Sequence, residues 1–138
     1  MARANKEVVA GIVRNTLITQ YGYQIEGDYV RKPITENYGI GFFHNAQNTL
    51  CICVHHREGS EFSPTQKEVI GDVLSRPEFT NSYHPAKNGE STDGKYEIRA
   101  PLKITGFYAE AWTDEEVAEW ICKLFEHFIC TVELLQLN

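Results

Sequence analysis

Five side chains capable of chemistry lie close together in one part of the sequence. Cys51 and Cys53 are two residues apart, His55 and His56 follow directly, and His44 ends the preceding apolar run. A thiolate beside an imidazole is the activated form of a cysteine nucleophile. Thiolate and imidazole are also common ligands of zinc. Any chemistry carried by this chain is therefore expected here first.

The spacing of these residues disfavours both kinds of chemistry. Structural zinc sites usually place about two to four residues between paired cysteines at a turn, whereas one residue separates Cys51 from Cys53 on an expected strand. No third group that would orient a cysteine and histidine pair is recognisable. The sequence also lacks phosphate-loop, nucleophile-elbow, metalloprotease and dinucleotide-binding motifs. We therefore predict no metal site and no cofactor, and we favour a role without catalysis.

The same residues predict a β-hairpin. Strand-like runs cover 38–44 and 49–56, and the polar residues 45–48 separate them. If the four-residue loop sets the register, Gly39 and Gly41 share a face with Phe43, where they would let a helix approach closely. The other face then carries Tyr38, Ile40, Phe42, Cys51, Cys53 and His55. A pocket on this aromatic and sulfur-rich face is a candidate ligand site, with these expected residues: Tyr38, Phe42, His44, Cys51, Cys53, His55 and Trp112.

Three helices are expected to support the hairpin. Apolar residues at helical spacing predict the first helix over 6–21, and Gly22 suits the left-handed position that ends it. Capping boxes that begin at Ser63 and Thr113 mark the starts of a second helix and of a long amphipathic last helix. The helices give the hairpin apolar surface to pack against.

Further strands are expected before and after this region. Residues 29–34 predict a short strand, and Pro33 favours a place for it at the sheet edge. Apolar and polar residues alternate over 96–108, as in a strand with one buried face. The polar connection 79–95, with its Xaa-Gly turns, is expected to contain the most mobile segment. The predicted order is α-β-β-β-α-β-α.

This order predicts an α+β two-layer sandwich, with a mainly antiparallel sheet and the helices largely on one face. At 138 residues the chain is expected to be a single domain spanning 1–138. In topology alone it is similar to the small homodimeric secretion chaperones, which are also acidic. No residue motif carries that similarity, which implies at most an adaptor or chaperone-like role.

Composition narrows the classes of partner. The net charge is −6 and no basic cluster stands out, which argues against a nucleic-acid partner. No apolar run approaches the roughly 18 residues of a membrane span, and the start lacks the apolar stretch of a signal peptide. We therefore expect a cytoplasmic protein, without a membrane partner, whose four cysteines are reduced and mostly buried.

The last helix predicts self-association. Its apolar residues cover an arc of roughly 180°, wider than the stripe of about 100° that suffices for packing on one sheet. The first helix of the same chain could cover the surplus; a second copy is the alternative we favour. The expected contact residues are Trp120, Leu124, Phe125, Phe128, Ile129 and Val132.

Two functions remain open from the sequence. The first is a non-enzymatic protein-interaction domain that acts as a homodimer, with another protein as a further partner. The alternative is a small-molecule-binding or catalytic domain that uses the pocket on the hairpin face. Solution mass and a thermal-shift screen of metals and metabolites would separate the two.

Overall fold

Three helices and five strands follow one another in the part of the chain that the computed structural model describes. That part comprises residues 5–35, 38–44, 48–56, 62–74, 97–102, 104, 107 and 110–134, with the backbone alone at 97, 99–101 and 132–134. The elements are α1 Lys6–Tyr21, β1 Gln24–Glu26, β2 Tyr29–Pro33, β3 Tyr38–His44, β4 Leu50–His56, α2 Pro64–Leu74, β5 Glu97–Leu102 and α3 Asp114–Leu134. The expected mobile segment within 79–95 lies outside the described residues.

The strands form one antiparallel sheet in the order β1-β2-β3-β4-β5. The predicted α+β class is confirmed, and the element order gains one strand, β1, before the hairpin. The predicted edge position of the strand containing Pro33 is wrong, because β2 lies between β1 and β3. Pro33 is tolerated there since the pairing of β1 with β2 ends at Arg31, two residues before the proline.

The predicted helix ends are confirmed by their hydrogen bonds. Gly22 adopts the left-handed conformation, with φ 77°, and donates its backbone N–H to the Leu17 carbonyl. In the box before α2, the Gln66 amide N–H donates to Ser63 Oγ at 3.1 Å and Gln66 Oε1 accepts from the Ser63 amide at 2.8 Å. Thr113 and Glu116 make the same reciprocal pair before α3, at 3.1 and 3.2 Å.

All three helices contribute to one core on one face of the sheet. The ring of Phe125 in α3 lies edge-on to Phe42 in β3, with centroids 6.1 Å apart, and to Tyr23, at 6.4 Å. α3 also contacts both α1 and α2. The sheet contributes the following buried side chains to this core: Val30, Tyr38, Ile40, Phe42, Leu50, Ile52, Val54, Ile98 and Leu102. The helix-covered side of the sheet is called the inner face, and the opposite side the outer face.

The hairpin register differs from the predicted one by a single residue. β3 and β4 pair Phe43 with Cys51 and His44 with Leu50, so that residues 45–49 connect the paired ends. Because side chains alternate between faces, this shift moves every side chain of β4 to the other face relative to β3. The predicted grouping is therefore wrong. The residues that share the inner face in this hairpin are Tyr38, Ile40, Phe42, His44, Leu50, Ile52, Val54 and His56.

The apolar arc of α3 is covered by the same chain as far as the structure describes its side chains. Phe125 and Phe128 are completely buried, and Leu124 and Ile129 are only 5% and 9% exposed. Trp120 is half-buried against the ring of Phe107, with centroids 4.9 Å apart. Val132 lies on α3, and its side chain is outside the described set. Packing against α1 and the sheet thus accounts for the described residues of the arc, as in the alternative left open above.

All four cysteines are free thiols. Cys51, Cys53 and Cys122 are buried, as predicted, whereas Cys130 is exposed on α3. Among the helices that the structure describes, none combines the length and the apolar character needed to cross a bilayer.

Candidate functional site

The residues predicted to line one pocket are divided between the two faces of the sheet. Tyr38, Phe42 and His44 are on the inner face, and Trp112 packs against Phe107 just before α3, with ring centroids 4.5 Å apart. The outer face carries the other three, Cys51, Cys53 and His55. The inner face is covered by the helices, so a site is sought on the outer face.

On the outer face, His55 occupies the space above Gly39. The two residues are cross-strand partners, and a β-carbon at Gly39 would collide with the imidazole ring. Glycine at this strand position therefore makes room for a neighbouring side chain. The helix approach expected from Gly39 and Gly41 is wrong, because both glycines lie on the face away from the helices.

Gly41 makes room for Arg31 in the same way. A β-carbon at Gly41 would lie 3.0 Å from Cγ of Arg31, its cross-strand partner on β2. The guanidinium lies over the ring of Tyr29, with Cζ 4.1 Å from the centroid, and Tyr29 in turn stacks on Phe43 at 4.7 Å. Glu26 Oε2 accepts from Nη1 of Arg31 at 3.4 Å. These contacts hold the long side chain in one position on the outer face.

A groove opens beside these two side chains. Its volume is about 380 Å³, and its lining consists of Gly22, Gln24, Glu26, Arg31, Lys32, Pro33 and His55. Arg31 points to the outer face and is paired with Glu26, whereas Lys32, the next residue of β2, points to the inner face, where its ammonium lies over the ring of Tyr23. Nζ of Lys32 also lies 4.0 Å from Glu126 on α3. On the outer face the groove therefore presents one cationic side chain, Arg31, beside His55, in a chain whose overall charge is −6.

A second cleft, of about 260 Å³, separates α1 from α3. It is lined by Ile12, Thr16, Gln20, Tyr21, Glu115, Glu119 and Cys122. Burial, with Glu119 and Glu126 adding to it, raises the pKa of the Cys122 thiol to about 12. This thiol stays protonated at neutral pH and is a poor nucleophile. Within the described ranges, no three His, Cys, Asp or Glu side chains come together as a metal site would require.

The inner-face residues of the predicted pocket have a structural role. Tyr38 stacks on Phe62, with centroids 5.9 Å apart, and His56 lies edge-on to both rings. Phe62 directly precedes the capping box of α2, so the three rings fix the start of that helix against the sheet. Burial raises the pKa of Tyr38. These three rings fill the space that a pocket beside Tyr38 would need.

Sequence reasoning missed six of the seven groove residues, namely Gly22, Gln24, Glu26, Arg31, Lys32 and Pro33. A signal was present in the sequence, since Arg31 follows Tyr29 at the spacing of one strand face and an arginine can stack on an aromatic ring there. Of the predicted site residues, only His55 lines the groove.

Comparisons with protein-family models, with curated proteins and with solved structures find no match to this chain.

Proposed function

We propose that the protein is a non-enzymatic binding domain that holds a small organic anion in the outer-face groove. The single observation that supports this is the fixed position of Arg31 at the groove wall. Arg31 rests on Gly41 and Tyr29, and His55 also lines the groove. An arginine held in one conformation loses little side-chain entropy when it binds a carboxylate or phosphate.

The size of the groove favours a small ligand. Pockets for drug-sized molecules have volumes of about 300–1,000 Å³, so a groove near the lower end suits a compact metabolite. Its polar lining favours a ligand recognised by charge and hydrogen bonds. The side chain of Arg31 is 24% exposed, so an entering anion can reach it.

The apolar contact surface expected on α3 now lends less support to a protein-interaction role. The described α3 residues of that surface are buried or half-buried in their own chain. Their burial leaves the alternative function, a small-molecule site on the sheet, as the one that the geometry favours. The groove differs from the predicted pocket in its residues, although both include His55.

The test is a calorimetric titration with citrate, inorganic phosphate and adenosine monophosphate, with glucose as an uncharged comparison. We expect at least one anion to bind, glucose to give no heat, and affinity to fall as sodium chloride is added. Arg31→Gln should weaken binding at least tenfold. Arg31→Lys should restore it only in part, because an ammonium lacks the planar guanidinium fork.

Lys123→Gln is the matched control, because Lys123 is a well-exposed cation on α3, paired with Glu119 and outside the groove. It should bind as the natural protein does. If none of the three anions bound, or if Arg31→Gln and Lys123→Gln weakened binding equally, the proposal would be wrong. Circular dichroism of each variant separates a lost site from a lost fold.

A further inference from the structure

The first strand of the sheet presents an exposed edge. β1 is three residues long, all three are exposed, and among the described strands only β2 pairs with it. Ile25, its central residue, is 63% exposed, whereas the next most exposed large apolar residue described, Val8, is 42% exposed. Of the common protections of a sheet edge, lysine and proline are absent from β1, while its shortness and the charge of Glu26 limit the pairing that it can make.

The turn after β1 determines which backbone groups face this edge. Gly27 and Asp28 connect Glu26 to its partner Tyr29, and Gly27 has a φ of 61°, as in a two-residue hairpin turn. In such a hairpin the residues flanking the turn form a hydrogen-bonded pair, and the next pair does not. The N–H and C=O of Ile25 therefore point away from β2, towards the open edge.

The β1 edge is complementary to itself. In an antiparallel pairing of two copies about a two-fold axis at Ile25, Gln24 of each copy lies opposite Glu26 of the other. A glutamine amide can donate to a carboxylate, and this pair occurs twice. The two Ile25 side chains meet on the inner face, where Ile25 already continues the row of Val30 and Phe42. Pairing two β1 strands in this single register thus gives one aliphatic contact and two polar pairs.

We propose that two copies of this chain pair through their β1 strands, so that their sheets join into one antiparallel sheet. The expected homodimer would then form at the sheet edge, while α3 stays buried in each copy. The contact is isologous, as two-fold pairs require, because the same three residues serve both partners. The three-residue edge is short, so the association is expected to be concentration-dependent. The proposal holds whether or not the groove binds an anion.

Sedimentation equilibrium over a wide concentration series tests the pairing. The natural protein should shift from the mass of one chain towards twice that mass. Ile25→Pro removes the edge-facing N–H without removing a bond to β2, so it should stay folded and monomeric. Val8→Lys is the control for loss of exposed apolar surface and should associate normally. A natural protein that stays monomeric throughout, or an Ile25→Pro variant that associates as tightly, overturns the proposal.

A charge pair gives an independent test that does not alter the backbone. Gln24→Glu places two carboxylates opposite each other at both polar pairs and should weaken association about tenfold. Gln24→Lys places a cation opposite Glu26 and should strengthen association by a similar factor. Equal dissociation constants for the two variants would exclude this register, even if Ile25→Pro failed to fold.

Discussion

The imidazole ring of His55 lies in the space that a β-carbon at residue 39 would fill, directly across the strand pair from Gly39. With Arg31 filling the corresponding space at Gly41, this relationship explains why β3 can carry two glycines without leaving a gap. A neighbouring side chain completes the packing on the outer face. The outer face is therefore sensitive to very small additions of volume.

Gly39→Ala should lower the free energy of unfolding by about 1–3 kcal/mol, because the new methyl group displaces a packed ring. Urea denaturation measures the change. The cost should shrink in a His55→Ala background, where the ring is absent. Gly11→Ala on α1, where nothing lies within 4 Å, is the control and should stabilise the protein by about 0.5–1 kcal/mol. An equal cost with and without His55 would contradict the assigned contact.

A charged side chain on α3 should unfold the protein rather than separate a dimer. Ile129 is buried in the core, and Cys130 beside it is exposed. Ile129→Asp should therefore cost about 3–5 kcal/mol, measured by thermal or urea denaturation. Cys130→Asp, on the adjacent position of the same helix, should stay within about 0.5 kcal/mol of the natural protein. A folded, fully monomeric Ile129→Asp variant would instead support an interface at α3.

One cysteine should react with a thiol reagent much faster than the other three. Cys130 is exposed, so a thiol reagent should modify one group rapidly in the native protein. The other three are buried and should react only as the protein opens. Cys130→Ser should abolish the rapid phase, and labelling in denaturant should recover all four thiols in the natural protein. Rapid native labelling of a second thiol would contradict this description of the core.

The hydroxyl group of Tyr23 should make the protein less stable in alkali. Burial, with Glu126, Cys122 and Tyr21 adding to it, raises the pKa of Tyr23 above its ordinary value of 10.0. The folded state therefore retains the phenolic proton at a pH where the unfolded state loses it. The stability associated with this group is intact below pH 10 and is lost progressively above it.

Tyr23→Phe tests this in two ways. No described group hydrogen-bonds to the buried hydroxyl, so its removal should raise the free energy of unfolding by about 1 kcal/mol near pH 7. Urea midpoints should also fall less between pH 9 and 11 than in the natural protein, a window near the ordinary pKa of about 10. Tyr21→Phe is the nearby control and should keep the alkaline loss. A parallel decline in the Tyr23→Phe variant would show that another group causes it.

The helix ends could be predicted from the sequence because local hydrogen bonds determine them. Ser63 with Gln66, and Thr113 with Glu116, need no information beyond four consecutive residues. The register of β3 against β4 was not predictable in this way. Their hairpin is apolar on both faces, so neither placement of Cys51 exposes a row of apolar side chains, and alternation cannot distinguish the two.

The outer-face groove and strand β1 could not be predicted from the sequence, for related reasons. β1 has three residues and one apolar side chain, too little for a period-two pattern to be recognised. The groove brings together β1, β2 and His55, and this arrangement exists only once the sheet order is known. Residues such as Gln24 and Arg31 carry no distinctive motif, so their role follows from their positions in space.

The packing of α1 against α3 joins two segments that are far apart in the chain. Residues 6–21 and 114–134 make one of the largest contacts between elements, whereas each strand of the sheet pairs with the next strand along the sequence. The sheet can therefore assemble progressively during synthesis, but the apolar stripe of α1 is covered only in part, by its contact with β2, until α3 has left the ribosome. Closing that large loop is expected to be late in folding, and the interval before it closes is when the nascent chain is most exposed to aggregation or most in need of a chaperone.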